Sequence, residues 1–210
     1  MCDGVLSRDV AHPHSRSPWS TRLLLVCATL AAVHLLAHLA TVPLLTLLAP
    51  LSPPLYGLVA ALHSVMPFLA RRITGVPGTA LLTAGIAAVF VAATNVAGAI
   101  VAVPLLLVGA IIDLVVWRSD AESRRGEIRY YAAAIVAGAA LFAVSLSVFS
   151  PEHLTPVLLA ATLATRIVGE LLAAALSRAL AAALIRAGVG RALRGDRDRS
   201  TDRRQSSPSS

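Results

Sequence analysis

The sequence predicts an all-α integral membrane protein: a six-transmembrane-helix bundle, N-in/C-in, with both termini in the cytosol. Three observations carry that prediction. The chain is 57% hydrophobic and 14% charged, where soluble domains carry roughly 25% charged residues, and its mean hydropathy is +0.76. Charges vanish over long stretches, with no Asp, Glu, Lys or Arg from Leu23 to Ala70 or from Ile73 to Ile112, and a bilayer core needs about 20 consecutive apolar residues per helix. The basic residues, all arginine, also sort to one side of the predicted spans.

The elements follow in order. Residues 1–22 are mostly polar, with Pro13 and Pro18 to discourage a helix, and form a cytosolic tail. The apolar run after them exceeds a signal-peptide core, so an uncleaved first helix is predicted. Span one covers 23–42 and stops at Pro43. "PLLTLLAPLSPPLYG" (43–57) holds four prolines and is predicted as an external loop, partly re-entrant. Span two covers 55–70 and ends at Arg71-Arg72, and "ITGVPG" makes a turn. The 39 residues of 79–117 are about twice one crossing and break near "TNVAG" (94–98), giving spans three and four. "RSDAESRRGEIR" (118–129) is a charged loop. Span five covers 130–149, "SPEHLTP" is a turn, and span six runs from 154 to 178 or beyond. After Arg178 the chain continues as an extension of helix six or an interfacial amphipathic helix. The membrane domain spans 23–190, and 191–210 form a basic, disordered cytosolic tail.

With the N-terminus inside, all of the 18 arginines except Arg166 face the cytosol, and none lies in an external loop. That is the positive-inside pattern, and it explains the net charge of +7 better than nucleic-acid binding does. The same inventory excludes functions. Without lysine there is no Walker A loop, so uphill transport would need another subunit or an ion gradient. Cys2 and Cys27 form neither a disulfide framework nor a zinc motif, and no cofactor or metal is predicted. No GxSG, HExxH or paired catalytic aspartate lies within the spans, so the chain does not read as an enzyme.

Ionisable groups inside a membrane are costly and mark candidate sites. His34 and His38 are spaced i, i+4 and share a face of helix one; His63 lies at similar depth in helix two. Three imidazoles together could hold a polar ligand or a metal, or could simply bond neighbouring helices. Asn95 sits at the bend between spans three and four, as a ligand contact or a turn residue. Arg166 and Glu170, also i, i+4, are expected to pair along helix six. Asp113, in "LLVGAIIDLVVWR", is expected to join them in a buried network between helices four and six. Ala28 and Ala32 make an AxxxA spacing that permits close helix approach, on a face roughly 120° from the histidines.

Several segments, in this order, resemble the substrate-capture (S) components of energy-coupling factor (ECF) transporters, most of all the group associated with hydroxymethylpyrimidine or thiamine uptake. They are the Ala-rich first helix with its AxxxA spacing, the Pro-rich segment after it and "RRITGVPGTALLTAGIAAV". "TNVAG" follows, then "GAIID", with Asp113 in an acid's place, and "RIVGELLAAALSRALAAALIRAGV". The resemblance covers residues 23–190. It implies a plasma-membrane protein that binds a vitamin-like solute from outside and works with a membrane coupling subunit and two cytosolic ATPase subunits. His34, His38, His63 and Asn95 are then the first candidates for solute contact, followed by Asp113, Arg166 and Glu170, with Ala28 and Ala32 for partner docking. Two other readings compete. A self-contained secondary transporter or metal-ion permease would work without ATPase partners, and a membrane scaffold would bind no solute.

Overall fold

A computed structural model describes residues 20–94, 99–117, 123–147 and 155–188. These residues form helices and turns, with no strand among them: α1 (Thr21–Leu51), α2 (Pro53–Ala60), a 3-10 segment (Ala61–Ser64), α3 (Val65–Thr74), α4 (Thr79–Thr94), α5 (Ala99–Val115), α6 (Arg124–Ser145) and α7 (Pro156–Arg186). Four helical stretches are long and apolar enough to cross a bilayer: Thr21–Leu51, Pro53–Thr74, Arg124–Ser145 and Pro156–Arg186. α4 and α5 are apolar but shorter, at 16 and 17 residues. The termini of the chain, and Asn95 with the rest of the 95–98 bend, lie outside the described residues.

Ser20 caps α1, its Oγ accepting the Leu23 N–H. The expected stop at Pro43 does not occur. α1 continues through Pro43 and Pro50 to Leu51, so the 43–57 segment is helix rather than loop. Proline removes one backbone hydrogen bond, but unwinding several residues in lipid would orphan many more. α1 ends where the Ser52 N–H reaches Leu48 O at 2.8 Å, and Pro53 and Pro54 then open α2, where a missing N–H costs nothing.

The "ITGVPG" turn forms as expected. Gly75 takes the left-handed conformation (φ 62°) that ends α3, and its N–H bonds Arg71 O at 3.0 Å. Thr74 and Thr79 hydroxyls meet across the turn at 2.8 Å. α4 and α5 then lie antiparallel, since Leu81 meets Asp113 while Gly85 faces Leu106. Gly109 makes this possible: a Cβ there would lie 2.8 Å from Ala84 Cβ and 2.9 Å from Leu81 Cα. α7 is one continuous helix to Arg186, so the chain just after Arg178 extends that helix. At 31 residues it is about 46 Å long.

The interior is built from small residues. Ala80, Ala133, Ala134, Ala137 and Ala174 are fully buried beside Phe68, Ile112, Val116 and Tyr130. The large aliphatic side chains point outward instead, among them Leu25, Leu36, Leu47, Val89 and Leu114, each more than 60% exposed. Small-inside, large-outside packing suits a multi-pass membrane protein, whose helices gain from close backbone approach while lipid solvates the aliphatic surface.

Candidate functional site

The spacing of 34 and 38 puts both histidines on the inward face of α1, where they are 2% and 8% exposed. Their rings lie nearly parallel, with centroids 6.4 Å apart. The 3-10 segment supplies the third. Its tighter winding interrupts the α2–α3 stretch and carries His63 and Ser64 side by side. The His63 ring stands edge-on to both neighbours, with centroids 5.4 Å from His34 and 5.0 Å from His38. The three histidines therefore converge.

Hydrogen bonding assigns the protons of this cluster when the rings are neutral. His63 Nδ1 lies 3.1 Å from Ala60 O, which can only accept, so Nδ1 donates and Nε2 keeps a lone pair. His38 Nδ1 lies 3.0 Å and Thr41 Oγ1 3.2 Å from that lone pair. The Thr41 hydroxyl donates to Ala37 O at 2.9 Å, which leaves His38 Nδ1–H as donor to His63. His38 Nε2 is then a bare acceptor, and it has no partner. A proton shared between His38 and His63 is the wrong arrangement for two lone pairs aimed at one ion. Among the described residues no group of three His, Cys, Asp or Glu is arranged to hold a metal.

Beside the histidines lies a cavity of about 110 Å³, several times the 10–15 Å³ or so that one water requires. Every apolar helical segment contributes to it: His34, His38 and Leu45 of α1; Tyr56, Ala60, His63 and Ser64 of the second stretch; Val91 of α4; Pro104, Leu105 and Val108 of α5; Leu141 of α6; and Arg166 of α7. The wall is mostly apolar with a few polar groups set into it, the usual make-up of a small-molecule site. Arg166 is buried and donates from Nη1 to Gly57 O at 3.1 Å, while its Nε has no partner.

Two expected contacts are replaced by others. Arg166 and Glu170 interact electrostatically but make no direct salt bridge. Glu170, fully buried, accepts from Ser64 Oγ at 2.9 Å, through a residue the sequence reading passed over; its neighbour His63 in an otherwise apolar run was the only hint. Asp113 joins neither of them. Its Oδ2 accepts the Leu81 N–H in the first turn of α4 at 2.8 Å, and its Oδ1 lies 3.6 Å from Arg71 Nε. This satisfies one of the donors that a helix start leaves open, and it ties α5 to α3 and α4 outside the cavity wall.

The two arginines expected at the cytosolic end of span two are buried, Arg71 at 1% and Arg72 at 8% exposure. Arg71 Nη2 donates to Val116 O and Trp117 O, closing the end of α5. Arg72 makes a bidentate pair with Glu127 at 2.9 and 3.2 Å. It also bonds Ser177 Oγ and lies 3.9 Å over the Tyr130 ring. Ala28 is half-buried and Ala32 exposed, on the outer side of α1 away from the histidines.

Neither a protein-family model nor a curated protein matches the sequence. A solved structure does match in shape: "Crystal structure of an S-component of ECF transporter", with a TM-score of 0.73 over 88% of this chain and 98% of that one, at 22% identity. The two chains share a fold. The likeness extends over nearly the whole of that S-component.

Proposed function

We propose that the chain is the substrate-capture subunit of an ECF-type transporter, binding a small vitamin-like solute without chemical change. One observation carries this reading: a cavity with walls from every apolar segment, set in an S-component fold. The thiamine-precursor group, hydroxymethylpyrimidine above all, is the first candidate, on the sequence resemblance. In this reading all six segments cross the plasma membrane with both termini in the cytosol. The histidine end then faces outward and the Arg71/Arg72 end inward, as the positive-inside rule favours. A membrane coupling subunit and two cytosolic ATPases supply the energy.

The test is the thermal stability of the purified protein in detergent against vitamins, pyrimidines and divalent metals. A ligand that binds only the folded state raises stability by mass action. A shift with a pyrimidine that weakens at least tenfold in His63→Ala supports capture at this cavity. A shift with metals alone favours the permease, and none with any compound favours the scaffold. The outward Ala28/Ala32 face, with Ala32 exposed, is the proposed docking surface for the coupling subunit. Ala32→Trp is then expected to abolish co-purification with that subunit while leaving solute affinity unchanged; retained co-purification would remove the face from the interface.

A further inference from the structure

The capture reading leaves open what charge the solute carries, and the wall of the cavity bears on it. Arginine remains protonated in proteins, so Arg166 is a fixed positive charge on that wall, 6% exposed. Among the described residues no acid lines the space. Three carboxylates lie among the described residues: Asp113 is engaged by Arg71 and the Leu81 N–H, Glu127 by Arg72 and Arg178, and Glu170 accepts from Ser64 while also interacting electrostatically with Arg166. Glu170, one turn along α7, is bonded to Ser64 and is not part of the wall. The three imidazoles contribute no negative charge. The guanidinium has spent one donor on Gly57 O and keeps Nε unpartnered.

We infer that Arg166 sets the charge selectivity of the cavity: the site takes a solute that offers a hydrogen-bond acceptor to the guanidinium and rejects one that carries positive charge. This rests on the capture reading and narrows it. In low-dielectric surroundings the repulsion between two fixed charges a few ångströms apart is far larger than in water, and the guanidinium lines the cavity while its charge neighbour Glu170 does not. An uncharged pyrimidine with a ring nitrogen fits these demands. The intact vitamin thiamine, with its thiazolium cation, does not. A carboxylate would offer the same acceptor chemistry as the ring nitrogen.

The experiment compares four probes on the full-length protein in detergent by ligand-dependent thermal stability. They are hydroxymethylpyrimidine, orotate, thiamine, and the uncharged isostere of thiamine in which a thiophene replaces the thiazolium. The isostere separates charge from size. The expected result is that the isostere binds at least tenfold tighter than thiamine, and that orotate and hydroxymethylpyrimidine show whether an anionic or a neutral acceptor is preferred. In Arg166→Gln the gap between thiamine and its isostere should close. Equal binding of the two in the wild type overturns the inference, as does an unchanged gap in a folded Arg166→Gln. Binding of hydroxymethylpyrimidine with neither larger probe assigns the exclusion to size and also overturns it. If the variant fails to fold, the wild-type ranking decides alone. Silence with all four probes overturns the pyrimidine reading, and the inference with it, whereas the preceding outcomes leave capture standing.

Discussion

A single carboxylate illustrates how far residue type constrains role. Asp113 sits in an apolar helix, where an acid is expensive and so invites a functional reading. Its position gives it structural work instead, as counter-ion to Arg71 and acceptor for an open N–H of α4. Asp113→Asn keeps the acceptor but leaves the buried guanidinium unpaired. Losing one partner of a buried pair costs about 3–5 kcal/mol. The variant should therefore unfold at markedly lower temperature while its solute affinity stays within twofold, both read from thermal melts with and without ligand. A large loss of affinity with unchanged stability would return Asp113 to the binding site. Which partner it meets was not legible in the sequence, because spacing along a helix reports neighbours three and four residues away, and Arg71 and Leu81 lie on other elements. The same limit applies to Arg166 and Glu170, where the i, i+4 rule gave proximity but not the choice of Gly57 O and Ser64 Oγ over each other.

Among the elements, the reading fared best where a local signal sufficed. The helical period placed His34 and His38 on one inward face, and Gly75 with its flanking threonines ended α3 where a left-handed residue was needed. It failed at Pro43, where a rule learned in water was applied to a helix in lipid. His63 marks the boundary between the two cases: its depth was readable, but its approach to α1 depends on the 3-10 winding of Ala61–Ser64, which nothing in "ALHS" announces. Close approach between elements has its own test. Gly109 is the contact point of α4 and α5, and Gly109→Ala would drive a methyl into Leu81 and Ala84. Overpacking of this kind costs about 1–3 kcal/mol. A lowered unfolding temperature is expected, and an unchanged one would mean the two helices can separate without penalty.

On the scale of the whole molecule, two of the arginines from which an orientation was expected also fasten the bundle. Arg71 and Arg72 were legible as topological markers, but their burial was not, because it needs Glu127, Ser177 and the end of α5 to arrive from distant sequence. The result is a bundle fastened unevenly. At one end α3, α5, α6 and α7 are joined by charged and bidentate bonds; at the other, around the histidines, the walls meet across an open volume. Backbone amides near Arg72 should therefore exchange with deuterium more slowly than those flanking the cavity, and bound solute should slow the second group while leaving the first alone. Uniform exchange along the bundle would refute this. A bouquet tied at the stems spreads at the blooms: such a molecule can admit a guest at its loose end without its helices losing register, and the knot that permits this lies in a dipeptide.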